Sequence, residues 1–247
     1  MPSSFLTFGA SRPTRSADGW RIAANAVGRD PSDRDLDCPT HRALERWAAR
    51  MLGSADHERR VADLATDLFD VTRTLHGLAT ADLRLLRWAA AVHDVGRSVC
   101  DETHPADGAR LLRADRSLPL SPTERRHLAY LTLHHRGKVP APGRDGVLAR
   151  SDDAGRLLRV LALLRAADGL DNRALGRGAG RPPRVLFGLI DRKAGPAELH
   201  VTCYLSVDST KARKVYGRRK KFRLLESLLG CRTRPQVLSL DPLRAVA

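Results

Sequence analysis

The chain has 247 residues, 42% of them hydrophobic, which suits one large domain or a domain with a small appendage and argues against disorder throughout. Aromatic residues make up only 4%, so the core must be built from Leu, Ala and Val, a palette that favours packed helices over a β-sandwich. A formal net charge of +15, with Arg in excess of Lys, gives a surface field that attracts anions such as nucleotides, polyphosphate or nucleic acid. Cys38, Cys100, Cys203 and Cys231 lie far apart without a CxxC pair, so neither a zinc ribbon nor a disulfide framework is expected. With no run of about 18 apolar residues and no charged-then-apolar start, the expected setting is cytoplasmic, with no membrane partner.

Residues 1–38 mix Gly, Ser, Pro, Arg and Asp without periodicity and read as a flexible N-terminal arm. From Pro39 the apolar residues recur at three- and four-residue spacing in "THRALERWAARML", "SADHERRVADLATDLFDVTRTLHGL" and "ADLRLLRWAAAVHDVG", with Ser54 as a candidate N-cap and Gly77 and Gly96 near the stops. "HPADGARLLRA", "SPTERRHLAYLTLHHRG" and "SDDAGRLLRVLALLRAADGLD" continue the helices, with Ser121 and Pro122 at a cap and first turn. "RGKVPAPGRDG" reads as a loop and "NRALGRGAGRPP" as a linker. Beyond the linker the period falls to two: "RVLFGLI" and "AELHVTCYL" predict a β-hairpin, "STKARKVYGRRKKFRLLESLLG" a basic helix and "PQVLSL" a short strand. The expected fold is mainly α, a helical bundle over 39–175 followed by a small α+β appendage over 184–241.

Two positions break the apolar pattern. His93 and Asp94 end the run "AAAV", and Asp168 ends "LLRVLALLRAA". A buried carboxylate costs several kcal/mol unless it is paired or bound to a metal, so two such acids point to a shared ion. His57, His93, Asp94, His104, His134, His135 and Asp168 all fall at helix ends and are all metal-ligand types. For a lone His76, His127 or His200 the expected role is structural.

Spaced in this way, His57, His93 with Asp94, and Asp168 resemble the HD-domain metal-dependent phosphohydrolase superfamily. The words around them, "HERRVADLATDLFD", "AAAVHDVG", "LHHRGKVP" and "LLRVLALLRAADGLDNR", are similar to the C-terminal HD region of the exopolyphosphatase and guanosine pentaphosphate phosphohydrolase (Ppx/GppA) family. The segment after residue 184 resembles the small domain that closes those proteins. The resemblance implies an HD-domain helical bundle holding one or two divalent transition-metal ions (Mn, Fe, Ni, Co or Zn) on His57, His93, Asp94 and Asp168. "HPADGARLL" and "HH" are similar to segments of HD-GYP domains, and in that analogy His104, His134 and His135 complete a second ion site bridged by Asp94. Two departures limit the analogy. "RGKVPAPG" replaces any GYP motif, so cleavage of cyclic dinucleotides is not expected. The first 40 residues are too few for the actin-like domain pair that carries the exopolyphosphatase active site, so hydrolysis by that route is not expected either.

The expected function is therefore metal-dependent hydrolysis of a phosphate ester or anhydride of a nucleotide-like or other phosphorylated small molecule. Asp94, His93 and Arg97 are the catalytic candidates, and Arg97, Arg136 and Lys138, close in sequence to the ligands, are candidates for the substrate phosphate. The alternative is a non-catalytic HD module that binds polyphosphate, nucleotide or nucleic acid, motivated by the basic residues between Lys211 and Arg223 around Tyr216 and Phe222. The favoured reading of that run is an amphipathic helix with Val215, Phe222, Leu224, Leu225 and Leu228 inward.

Overall fold

Two helices that are apolar nearly all round sit at the centre of the protein. In the computed structural model, which describes residues 20–23, 38–139, 141, 145–176, 182–192 and 194–240, α4 spans Thr80–Val92 and α7 spans Ala154–Asp168. Leu85, Leu86, Trp88 and Val92 of α4 and Leu157, Val160, Leu161 and Leu164 of α7 are buried, as expected of helices surrounded by protein. Around them pack α1 (Pro39–Leu52), α2 (Asp56–Val71) and α6 (Pro122–His134), while the single turn α3 (Arg73–His76) packs on α2 and α5 (His104–Ala114) on α6. A 3-10 turn over Val95–Ser98 follows α4, and one further turn, α8 (Arg173–Gly176), follows α7.

Local chemistry fixes the ends. At α6, Ser121 accepts from the Glu124 N–H while Glu124 accepts from the Ser121 N–H, a reciprocal capping box with Pro122 in the first turn. α7 is capped by Asp153, whose side chain accepts from the Arg156 N–H at 2.9 Å. Gly77 stops α3 in the left-handed region at φ 61°. Ser54 is not a cap: it sits one residue before the N-cap Ala55 of α2, and its hydroxyl bonds Asp56. Gly96 does not stop a helix either, since it lies inside the 3-10 turn.

The appendage is a four-stranded sheet in the order β1-β2-β3-β4, with two helices. β2 (Arg184–Ile190) and β3 (Glu198–Leu205) form the expected antiparallel hairpin, with Phe187 opposite Val201. Val185, Phe187 and Leu189 alternate on one face of β2 with Leu199, Val201, Cys203 and Leu205 of β3, all buried. β4 (Arg232–Ser239) is parallel to β3 and longer than the predicted short strand, so the chain between them must cross over. That crossover is not one basic helix. It breaks at Gly217 into α9 (Thr210–Tyr216), a 3-10 turn (Arg219–Phe222) and α10 (Arg223–Leu229), with Tyr216, Phe222, Leu225 and Leu229 buried. Within the segment read as an arm, Trp20–Ala23 forms β1, antiparallel to β2; the rest of 1–37 lies outside the described residues. One hydrophobic cluster runs from Leu44 through α7 to Val201 and Leu225, joining bundle and appendage. No helix among the described residues is long and apolar enough to cross a membrane.

Candidate metal centre

The ends of five helices and the 3-10 turn converge on Asp94. His57 lies in the first turn of α2, His93 and Asp94 follow α4, His104 starts α5, His135 caps α6 and Asp168 ends α7. His57, His93, Asp94, His104 and His135 are each at most 4% exposed, and Asp168 is more open with its side chain 21% exposed. Gly96 makes the convergence possible, because its missing Cβ lets the turn after Asp94 pack directly on the first turn of α5.

Each of the four imidazoles is fixed through Nδ1. His93 Nδ1 donates to Ala90 O at 2.8 Å, His104 Nδ1 to Asp101 O at 2.6 Å and His135 Nδ1 to Thr132 O at 2.6 Å. His57 Nδ1 donates to Asp171 Oδ2 at 2.7 Å. In a neutral ring this contact keeps the proton on Nδ1 and leaves Nε2 as the lone pair, and all four Nε2 atoms turn towards the two aspartates. His57 Nε2 and His93 Nε2 stand 3.4 and 3.5 Å from Asp168 Oδ1 and are buried with no hydrogen-bond partner. His104 Nε2 and His135 Nε2 stand 3.2 and 3.3 Å from Asp94 Oδ1 and 3.2 Å from each other. Two acceptors facing each other at that distance require a cation or a proton between them.

The side chains thus form two triads of potential ligands, His57 with His93 and Asp168, and His104 with His135 and Asp94, each with its ligand atoms within 4.8 Å of one another. A third grouping, His57 with Glu58 and Asp94, overlaps both. Asp94 Oδ2 is 3.8 Å from His57 Nε2, so this carboxylate faces both triads.

Charge is heavily coupled here. Burial opposes the charging of His93, but the carboxylates of Asp94 and Asp168 overcome it and push the imidazole up to about 9. Burial likewise opposes ionisation of Asp94, yet His93, His104 and His135 hold it well below the usual carboxylate range. Burial opposes ionisation of Asp168 as well, yet the His57 and His93 rings beside it hold it below the usual carboxylate range. Burial pushes His135 down, towards the neutral form that a metal ligand needs.

Of the sequence candidates, His134 does not enter either triad. It neighbours His135 on the last turn of α6, where a step of one residue rotates the side chain by about 100°, and its ring instead packs on Tyr130 at 4.9 Å. Arg97 is brought in, with Nε donating to Asp94 Oδ2 at 2.7 Å and Nη1 to Asp101. Arg136 and Lys138 are exposed on the segment after α6, and no hydrogen bond ties them to the triads. Sequence reasoning missed three residues. Glu58 is 1% exposed beside His57; Asp171 holds His57 and is itself held by Arg60 Nε at 3.0 Å; Arg173 donates to Asp94 Oδ2 at 2.9 Å and to Glu58. "HE" and the Asp three residues after Asp168 were the available signals.

Fold and centre together define a helical-bundle protein with a buried histidine–carboxylate cluster able to hold divalent ions. The family model for the Ppx/GppA phosphatase, domain III, matches residues 42–177, more than half of the chain, and the chain belongs to that family. Among curated proteins none matches it.

Proposed function

We propose that the protein is a metal-dependent phosphohydrolase of the HD type, cleaving an ester or anhydride bond of a phosphorylated small molecule. One observation carries this reading: four imidazoles, each held through Nδ1, aim four Nε2 atoms at two buried carboxylates, the donor set and spacing that divalent transition metals take. Family membership agrees with phosphatase chemistry at the level of the family.

His57, His93 and Asp168 would hold one divalent transition-metal ion and His104 and His135 a second, with Asp94 serving both. Ions so held supply a Lewis acid for phosphoryl oxygens and lower the pKa of bound water. The remaining work falls to the chain. Asp171, braced by Arg60, fixes the tautomer of His57; the backbone carbonyls of Ala90, Asp101 and Thr132 do so for the other three rings. Arg97 reaches from Asp94 towards solvent with its side chain 21% exposed and is the nearer of the candidate phosphate ligands; Arg136 and Lys138 would act only if substrate extends to the end of α6.

The test is elemental analysis of purified protein, followed by a phosphatase and nucleotide panel with manganese, iron, nickel, cobalt and magnesium. The expected result is one to two ions per chain and metal-dependent turnover that Asp94→Ala abolishes. Protein without metal, and with no thermal shift on adding any of these ions, would exclude the enzyme reading. Ligand retention after Asp94→Ala would favour the binding module.

A further inference from the structure

Asp94 Oδ2 accepts from two guanidinium groups at once, Arg97 Nε at 2.7 Å and Arg173 Nε at 2.9 Å. Two like charges converge on a single oxygen of one buried carboxylate. Each arginine spends a second nitrogen on a further acid, Arg97 Nη1 on Asp101 and Arg173 Nη2 on Glu58. Arg97 Nη2 and Arg173 Nη1 have no hydrogen-bond partner among the described residues, and the side chains are 21% and 25% exposed. A pair of forked donors therefore stands beside Asp94 with one edge of each fork unspent, partly open to water.

Charge indicates what that pair would take. With the imidazoles neutral as metal ligands, Glu58, Asp94, Asp101, Asp168 and Asp171 supply five negative charges against four positive ones from Arg60, Arg97, Arg165 and Arg173. Two divalent ions turn a deficit of one into an excess of three. A phosphoryl dianion cancels two of those charges, whereas the monoanion of a diester cancels one. Guanidinium forks match the spacing of phosphoryl oxygens.

We infer that Arg173, with Arg97, forms a two-arginine cradle for the non-bridging oxygens of a terminal phosphoryl group, making phosphate monoesters or terminal anhydrides, and not diesters, the substrate class; this rests on the metal-centre reading above. Arg173 opens the single turn α8 that follows α7 and spans Asp94 and Glu58, which ties the last turn of the helical region to the phosphoryl position.

The test uses full-length, metal-loaded protein and calorimetric titration with inorganic phosphate, methyl phosphate and dimethyl phosphate, with metal content measured on the same samples. Wild type should bind phosphate and methyl phosphate at least tenfold more tightly than dimethyl phosphate. Arg173→Met should keep two ions, weaken phosphate by about tenfold to a hundredfold and erase the preference for methyl over dimethyl phosphate, with Arg173→Lys in between. If Arg173→Met leaves Glu58 unpaired and unfolds the protein, the double variant Arg173→Met with Glu58→Gln removes that charge and carries the same expectation. Unchanged phosphate affinity in a variant that retains its ions overturns the inference and leaves the metal reading standing. Loss of ions from Arg173→Met also overturns it, marking Arg173 as a support of Asp94. Absence of ions from wild type defeats the metal reading, and the cradle with it.

Discussion

Replacing Gly96 by Ala is the sharpest single perturbation of the centre that substitutes none of its candidate ligands. A Cβ at Gly96 would lie 2.0 Å from His104 O and 2.5 Å from Gly108 N. Both are backbone atoms of α5, so no side-chain rotation relieves the overlap. Restoring an ordinary contact of 3.4 Å to His104 O requires the turn and the helix to separate by about 1.4 Å. Overpacking of this kind costs about 1–3 kcal/mol, and with backbone on both sides the upper end applies. For a chain of this length about 3 kcal/mol lowers Tm by roughly 6–12 °C. The displaced residue is itself a candidate ligand, since His104 Nε2 is 3.2 Å from Asp94 Oδ1. His57, His93 and Asp168 belong to other elements. Gly96→Ala should therefore lower Tm by that amount in calorimetry and lose one ion of two in elemental analysis. A variant within about 2 °C of wild type that still holds two ions would refute the reasoning.

Three further expectations follow from particular contacts. His104→Ala should cost one ion and leave part of the activity, whereas Asp94→Ala should remove all tight metal, because Asp94 faces both triads; an unchanged metal count in His104→Ala would leave a single-ion site. Lys221 donates to Gly169 O and Val215 O, and burial pushes its ammonium down to about 8, below its unfolded value, so between pH 8 and 10.5 the unfolded chain binds more protons and stability should rise with pH by on the order of 1–3 kcal/mol; Lys221→Met should flatten that rise in denaturant titrations. Charge reversal at Arg218 and Lys220, both exposed, should change neither metal-dependent hydrolysis nor fold, whereas Arg219 is left in place because it pairs with Glu226; a salt-sensitive nucleic-acid signal lost in the double variant would instead favour the binding module.

The helices were legible because their apolar spacing is local, and Asp94 drew attention because a charge ends an apolar run. Asp168 gave the same signal although its side chain proves partly open. What escaped was set by long-range geometry. Arg173 lies in a stretch that reads as a linker, yet bonds Glu58, 115 positions away. Nothing in "HH" tells which imidazole turns inward, because that depends on the rotation at the end of α6. The basic run kept its inward apolar residues, but the Gly217 break and the parallel pairing of β4 come from closing the crossover onto β3. β1 pairs across more than 160 residues of chain and leaves no periodic trace in a four-residue strand.

The most direct measurement is a crystal structure of manganese-soaked protein with anomalous difference maps collected at the metal edge. Two peaks are expected, one among His57, His93 and Asp168 and one among His104, His135 and Asp94, with Asp94 touching both. Density at neither triad, in crystals whose soak contains saturating manganese, would contradict the metal centre on which the proposed hydrolysis rests.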